Sequence, residues 1–292
     1  MSDLETYRSN ALTWLKSVAP KYGVAARKGL TEAQDLALGR QYQSAKFDAG
    51  YAGINWPKDF GGQGLSHIEK VAFESEEMKF GMPNGYFGIS LGMPVPILMR
   101  YGSDAAFTKE RVLKALKGEE IWCQLFSEPA GGSDLAGLKT RAVREGDEYV
   151  INGQKIWTSR ALYSDLMLLL ARTTPLEDVK KKSEGLSVFL VDMRKAVGNG
   201  MTIRPIKAMI NHNTTEVFFD NLRIPADSLI GQEGQGLRCI MDGMNAERIL
   251  VAHESIGDAK WFIKTAVKYS NERVIFDRPI GKNQGIQFPI AK

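Results

Sequence analysis

The apolar pattern changes period twice along this chain of 292 residues, and that double change constrains the fold more than any single motif. Up to residue 118, Leu4, Leu12, Trp14, Leu15, Val18, Leu36, Leu38 and Tyr42 recur at the spacing of helices that bury one face. From 119 to 226 the sequence breaks into short runs rich in Val, Ile, Leu, Phe and Thr. They lie at 121–126, 139–144, 148–151, 154–158, 166–172, 186–192, 201–206 and 215–224, with turn residues between them. From Gly234 the helical period returns, with Leu237, Ile240, Met241, Met244, Val251 and Ile263 on one broad stripe that continues to about Val274. A turn and the start of another helix follow. The pattern predicts an α+β chain in which an all-β insert (119–226) separates a helical part (1–118) from a second helical part (227–292).

Local signals agree with this division. Thr31 is a plausible N-cap for a helix running to Gly50, and Ser66 with Glu69 has capping-box spacing. Residues 51–64 are a loop by composition, and further helices are expected around 85–101 and 104–117. Gly88-Ile89-Ser90-Leu91-Gly92 fits G-x-S-x-G, but a nucleophile elbow needs a strand before it and a long helix after it in a parallel α/β chain. Here the context is helical, and the small residues read as a thin helix wall beside something bulky.

Several function classes drop out. The net charge of +4 comes from scattered Lys and Arg, with no basic face for nucleic acid. The run at 180–182 reads as a solvated loop. Cys123 and Cys239 are far apart in apolar runs and are expected to be buried free thiols in a reducing compartment. The first ten residues resemble neither a signal peptide nor a transit peptide, and the longest apolar run, LMLLLA, is too short to insert in a membrane. A soluble cytoplasmic protein is expected. His67, His212 and His253 lack metal-ligand spacing, so no metal site is expected. There is no G-x-G-x-x-G between strand and helix and no G-x-x-x-x-G-K, and GQEGQG simply connects sheet to helix.

Two places carry candidate chemistry. In the stretch 121–159, an apolar run ends in SEPAGGSD, whose paired glycines let a backbone approach a ligand closely. Exposed N–H groups there, with the Ser127 and Ser133 hydroxyls, suit carbonyl, ring-nitrogen or phosphate acceptors; a plain hairpin loop is the competing reading. Further on, EYVINGQKIWTS is expected to be a hairpin with its tight turn at Asn152-Gly153. The second place is the helix after 234. Glu247 and Arg248 fall three or four residues from Met244 and Val251, so both point towards the apolar stripe. Burying either charge is costly unless it is paired or used. They read as a structural ion pair or as a carboxylate base and cationic anchor.

The runs CQLFSEPAGGSDLAGLKTRA, INGQKIWTS, NAERI and ERVIFDRPIGKNQGIQF together resemble the acyl-CoA dehydrogenase family in order and spacing, over essentially the whole chain. The resemblance implies an N-terminal helical domain, a central β-domain forming a sheet or barrel, and a C-terminal helical bundle that is incomplete here. It also implies FAD as cofactor, an acyl-CoA substrate, an electron-transferring flavoprotein as partner, and a homotetramer or other homo-oligomer. Carried over residue by residue, Gln124, Leu125, Phe126, Ser127, Gly132 and Ser133 would line the flavin, with Ser133 also touching the acyl-CoA. Trp157, Thr158 and Ser159 would flank the flavin's other face, and Arg273, Phe276 and Gln284 would reach the FAD of a neighbouring subunit. Met244 and Arg248 would face the substrate.

The implied reaction is α,β-dehydrogenation of an acyl-CoA thioester to a trans-2-enoyl-CoA. Most members of that family carry the catalytic glutamate on a late helix, past the point where this chain stops, whereas a subset places the base where Glu247 stands. Glu247 is therefore the expected base, the alternative being a structural role with the base on the late helix. The Gly-rich segment that helps hold the adenine part of FAD is also missing. Rival readings are a same-fold oxidase or monooxygenase that uses oxygen, or a non-catalytic fragment.

Overall fold

The computed structural model describes residues 3–209 and 213–292, apart from the side chains at 246, 250 and 253. His212 lies outside the described residues, as does the side chain of His253. The chain divides into two units, Met1–Gly243 and Met244–Lys292.

The first unit opens with helices α1 (Asp3–Tyr22), α2 (Val24–Arg27), α3 (Glu32–Asp48), α4 (His67–Glu77), α5 (Gly88–Gly92), α6 (Pro94–Tyr101) and α7 (Ala105–Leu116). The expected caps are present. Thr31 accepts the Gln34 N–H at 3.3 Å, and Ser66 and Glu69 form a full capping box at the start of α4. Leu15, Tyr42 and Phe73 are fully buried and form one core with Trp14 and Tyr51, whose ring stacks on Phe73 at 4.6 Å. Burying each such side chain stabilises by about 1.5–3 kcal/mol. Tyr42 donates to Glu77 Oε1 at 2.5 Å and Lys46 donates to the same oxygen at 2.8 Å, so the buried carboxylate is compensated.

The sheet contains β1 (Trp122–Leu125), β2 (Arg141–Glu145), β3 (Glu148–Ser159), β4 (Leu166–Arg172), β5 (Leu186–Asp192), β6 (Met201–Pro205), β7 (Thr214–Pro225) and β8 (Leu229–Ile230). Its order is β6-β7-β3-β2-β4-β5-β8, with β1 running parallel to β4. Every residue of β4 is buried, which explains its unbroken apolar run: both of its faces are covered. Cys123, Leu125, Tyr149, Ile151, Met167, Leu169, Phe189 and Val217 form the main core of the sheet. A short helix α8 (Met193–Ala196) follows β5.

The expected hairpin at Asn152-Gly153 is not there. Both residues lie inside the single strand β3, and the turn before it falls between Glu145 and Glu148. The register between β3 and β7 shifts between Ile151 and Gly153, where Asn221 on β7 takes a left-handed φ of 51°. Asn152 Oδ1 accepts the N–H of Asn221 at 2.9 Å, so the Asn side chain serves a β-bulge and not a turn. Gly153 is required by close packing: a Cβ there would lie 2.5 Å from Thr140 Oγ1.

Helix α9 runs Gly236–Glu272. In the first unit its Cys239 and Ile240 are buried. In the second unit it is followed by β9 (Val274–Ile275) and β10 (Arg278–Pro279), which pair antiparallel, and by α10 (Gln284–Ala291). Phe276 and Asp277 between the strands both have positive φ, 53° and 60°, as a primed two-residue turn needs.

Candidate functional site

Serine 90 can be set aside as a nucleophile. Its Oγ is fully buried, donates to the Trp122 carbonyl at 3.0 Å and accepts the Trp122 N–H at 2.7 Å. It ties helix α5 to strand β1, a structural role for Ser90.

The polar site grows from the end of β1. Gln124 is half-buried and donates to Met93 Sδ at 3.4 Å, while Leu125 is buried. Phe126 and Ser127 leave the strand half-buried, and Gly132, Ser133 and Asp134 lie exposed in the loop. The loop is internally closed: Glu128 and Gly131 exchange backbone hydrogen bonds at 2.9 and 3.0 Å. Ile156 of β3 then donates its N–H to the Ser127 carbonyl at 3.0 Å, joining the loop to the strand that carries Trp157, Thr158 and Ser159.

That strand is irregular where this happens. Pairing with β7 slips between Lys155 and Thr158, and Trp157 inside the slip has φ of 62°. A bulky residue in the left-handed region is strained, and bulges re-aim side chains beside binding sites. The result leaves Trp157 62% exposed while Thr158 next to it is buried. Thr215 holds the bulge by donating its hydroxyl to the Thr158 carbonyl at 2.9 Å. An exposed indole, half-buried hydroxyls at 127 and 159, and a loop whose Gly131 would set a Cβ 3.2 Å from the Asp134 carbonyl suit a flat aromatic ring with a polar edge. On donor chemistry the residues fit a flavin.

Three charged residues that support this site escape the sequence reading. Lys155, none of it exposed, donates to Glu128 Oε1 and to the Phe126 carbonyl, both at 2.9 Å. Glu128 also accepts the backbone N–H groups of Lys139 at 2.6 Å and Thr140 at 2.8 Å. Burial pulls the Lys155 ammonium down to about 8. Burial alone would push the Glu128 carboxyl up, but Lys155 and the donors at Thr140 and Lys139 outweigh it and hold the group below the usual carboxylate range. Arg172 is buried and donates to the carbonyls of Ala136 at 2.7 Å, Lys182 and Glu184 at 3.1 Å, and Leu138 at 3.3 Å. It joins the exit of the site loop to the 182–184 segment, and burial lowers its pKa. A charged residue at an inward strand position, as at Lys155 and Arg172, is the sequence signal that marks such anchors.

Beside the 182–184 segment is a cleft of about 260 Å³ lined by Ser183, Glu184, Gly234, Leu237, Arg238 and Met241. The remaining expected site residues fall in the second unit. Met244 and Glu247 are half-buried, and Arg248 is exposed and donates to Asn245 Oδ1 at 2.8 Å. Arg273 and Phe276 are exposed, and Gln284 starts α10. On the apolar stripe, Val251 and Ile263 are about half exposed.

Three family models match the chain: the acyl-CoA dehydrogenase N-terminal domain over residues 18–120, the middle domain over 123–222 and the C-terminal domain over 234–292. Among curated relatives, acyl-CoA dehydrogenase FadE26 of Mycobacterium tuberculosis is 33% identical over 80% of the chain and 54% of its own length. Acyl-CoA dehydrogenase IpdE1 of the same organism is 36% identical over 85% of the chain and 64% of its own length. The chain thus spans roughly half to two thirds of these relatives. Among solved structures, an acyl-CoA dehydrogenase from Geobacillus kaustophilus superposes with a TM-score of 0.80 at 25% identity, over 100% of this chain and 74% of that one.

Proposed function

The chain belongs to the acyl-CoA dehydrogenase family, and from that premise we propose that it binds FAD and oxidises an acyl-CoA thioester to the trans-2-enoyl-CoA. The observation that carries this reading is the bulge that turns Trp157 outward beside a loop bonded to the same strand through Ser127 and Ile156. The flavin, when bound, supplies the hydride acceptor.

The chain's own residues do the rest. Ser127 and the loop backbone donate to the polar edge of the ring, while Trp157 covers a face and Thr158 and Ser159 serve its side chain. Proton removal from a thioester α-carbon needs a carboxylate in a dry site, because the carbonyl acidifies that carbon only modestly. Glu247 takes this proton, and Arg248 and Met244 face the thioester substrate. Ser133 touches the acyl-CoA, and the Arg238 cleft offers a cation beside Leu237 and Met241. Arg273, Phe276 and Gln284 reach the FAD of a second copy of the chain. Electrons leave to an electron-transferring flavoprotein.

The test is turnover of the FAD-loaded chain with a panel of acyl-CoAs and an artificial electron acceptor, read by mass as loss of two hydrogens. Glu247→Gln is expected to lower the rate about a hundredfold or more. An undiminished rate places the base elsewhere, and an FAD-loaded chain inert towards every acyl-CoA contradicts the proposal.

A further inference from the structure

The flavin reading leaves Glu128 and Lys155 without a task, yet among the described residues they form the ion pair of the sheet in which both side chains are almost wholly buried (6% and 0% exposed). Desolvating two charges is expensive, and such a pair is weak evidence for stability by itself. Its position is more informative. Lys155 Nζ binds the carbonyl of Phe126 and the carboxylate of Glu128, the residues on either side of Ser127. The next residue, Ile156, binds the carbonyl of Ser127 itself, and the one after it is the strained Trp157. Glu128 carries the link on to the N–H groups of Lys139 and Thr140, at the far end of the same loop. Two successive residues of β3 thus engage three successive residues at the start of the loop, and both ends of the site loop close on a single carboxylate.

We propose that the buried Lys155–Glu128 pair is a positioning device that fixes the Ser127 loop against the Trp157 bulge, so that the two walls of the flavin site are set before the flavin binds. The inference rests on the flavin reading above. Neither residue touches the cofactor; each acts through the backbone it holds. Pre-setting removes ordering cost from the binding step, so loosening the pair reduces affinity for FAD more than it reduces stability.

The experiment compares the whole chain with Glu128→Gln, which keeps the shape and one acceptor oxygen, enough for one of the two loop amides. Lys155→Met would bury an unpaired carboxylate and risks unfolding, so the double variant Glu128→Gln/Lys155→Met, with no charge left buried, is the second arm. Two readouts are taken: amide exchange on the flavin-free chain, and the FAD dissociation constant from flavin fluorescence quenching. Expected are exchange at Ile156 faster by about tenfold, unchanged exchange at 168–170 in β4, and FAD affinity weaker by about tenfold in whichever variant folds. Equal FAD affinity in variant and parent overturns the inference, as does exchange that rises uniformly across the sheet. A parent chain that takes up no FAD overturns the flavin reading instead, an outcome told apart because it precedes any comparison with the variants.

Discussion

Ile156 donates its backbone N–H to the carbonyl of Ser127 at 3.0 Å, and this bond brings together two segments that lie about thirty positions apart in the chain. On one side of it is a loop with paired glycines. On the other is a bulge whose Trp157 has φ of 62° and an open indole. The bond turns two local irregularities into one wall.

On the proposed flavin reading, Trp157 bears on ligand binding and little on stability. Trp157→Ala is expected to weaken FAD binding by about tenfold, the loss of an aromatic contact of about 0.5–1.5 kcal/mol. Trp157→Gly should be more stable than Trp157→Ala by about 1 kcal/mol, because glycine adopts the left-handed region without steric cost. Urea unfolding midpoints of the two variants, with FAD titrations beside them, check both statements. Equal midpoints would show that the bulge stores no strain at this residue.

The division into helical, sheet and helical segments was legible because each obeys its own apolar period, and the caps at Thr31 and Ser66 are local chemistry. Asn152-Gly153 misled for a physical reason. The dipeptide favours a tight turn in isolation, but Gly153 serves close packing on Thr140 and Asn152 serves a bulge on the partner strand. Both causes are long-range and invisible to spacing. Lys155 and Arg172 were hidden in the same way, since their partners are backbone carbonyls and a carboxylate brought close only by the sheet. Trp157, Thr158 and Ser159 were proposed through the resemblance alone, whereas the left-handed φ of Trp157 is a property of the folded strand.

Ser90 is expected to be a stability residue. Ser90→Ala removes a donor and an acceptor from the buried Trp122 backbone and should cost about 1–3 kcal/mol in chemical denaturation. A variant as stable as the parent would mean that these groups find other partners.

Asp35 gives the pH dependence a sign. Hydrogen bonds from Arg27 at 2.6 and 2.8 Å, with one from the Tyr86 hydroxyl at 2.8 Å, hold its carboxyl below the ordinary value of 3.8. A depressed folded value means the unfolded chain binds the proton more readily. The contribution is then fully present above the ordinary value and lost as pH falls through the depressed one. Unfolding midpoints measured from pH 6 down to pH 2 should fall below about pH 4, and Asp35→Asn should flatten that fall. An unchanged acid limb in the variant would assign the loss to other carboxylates such as Glu128 and Asp192, which are also held low.

The account stands most directly on one titration. The chain is loaded with FAD, freed of excess, made anaerobic, and mixed with stepwise additions of an acyl-CoA while the flavin's visible absorbance is followed. The account predicts a protein that retains FAD and whose absorbance bleaches as the acyl-CoA is added, with enoyl-CoA appearing in proportion. A protein that holds no FAD, or holds it unbleached by every acyl-CoA offered, would contradict it.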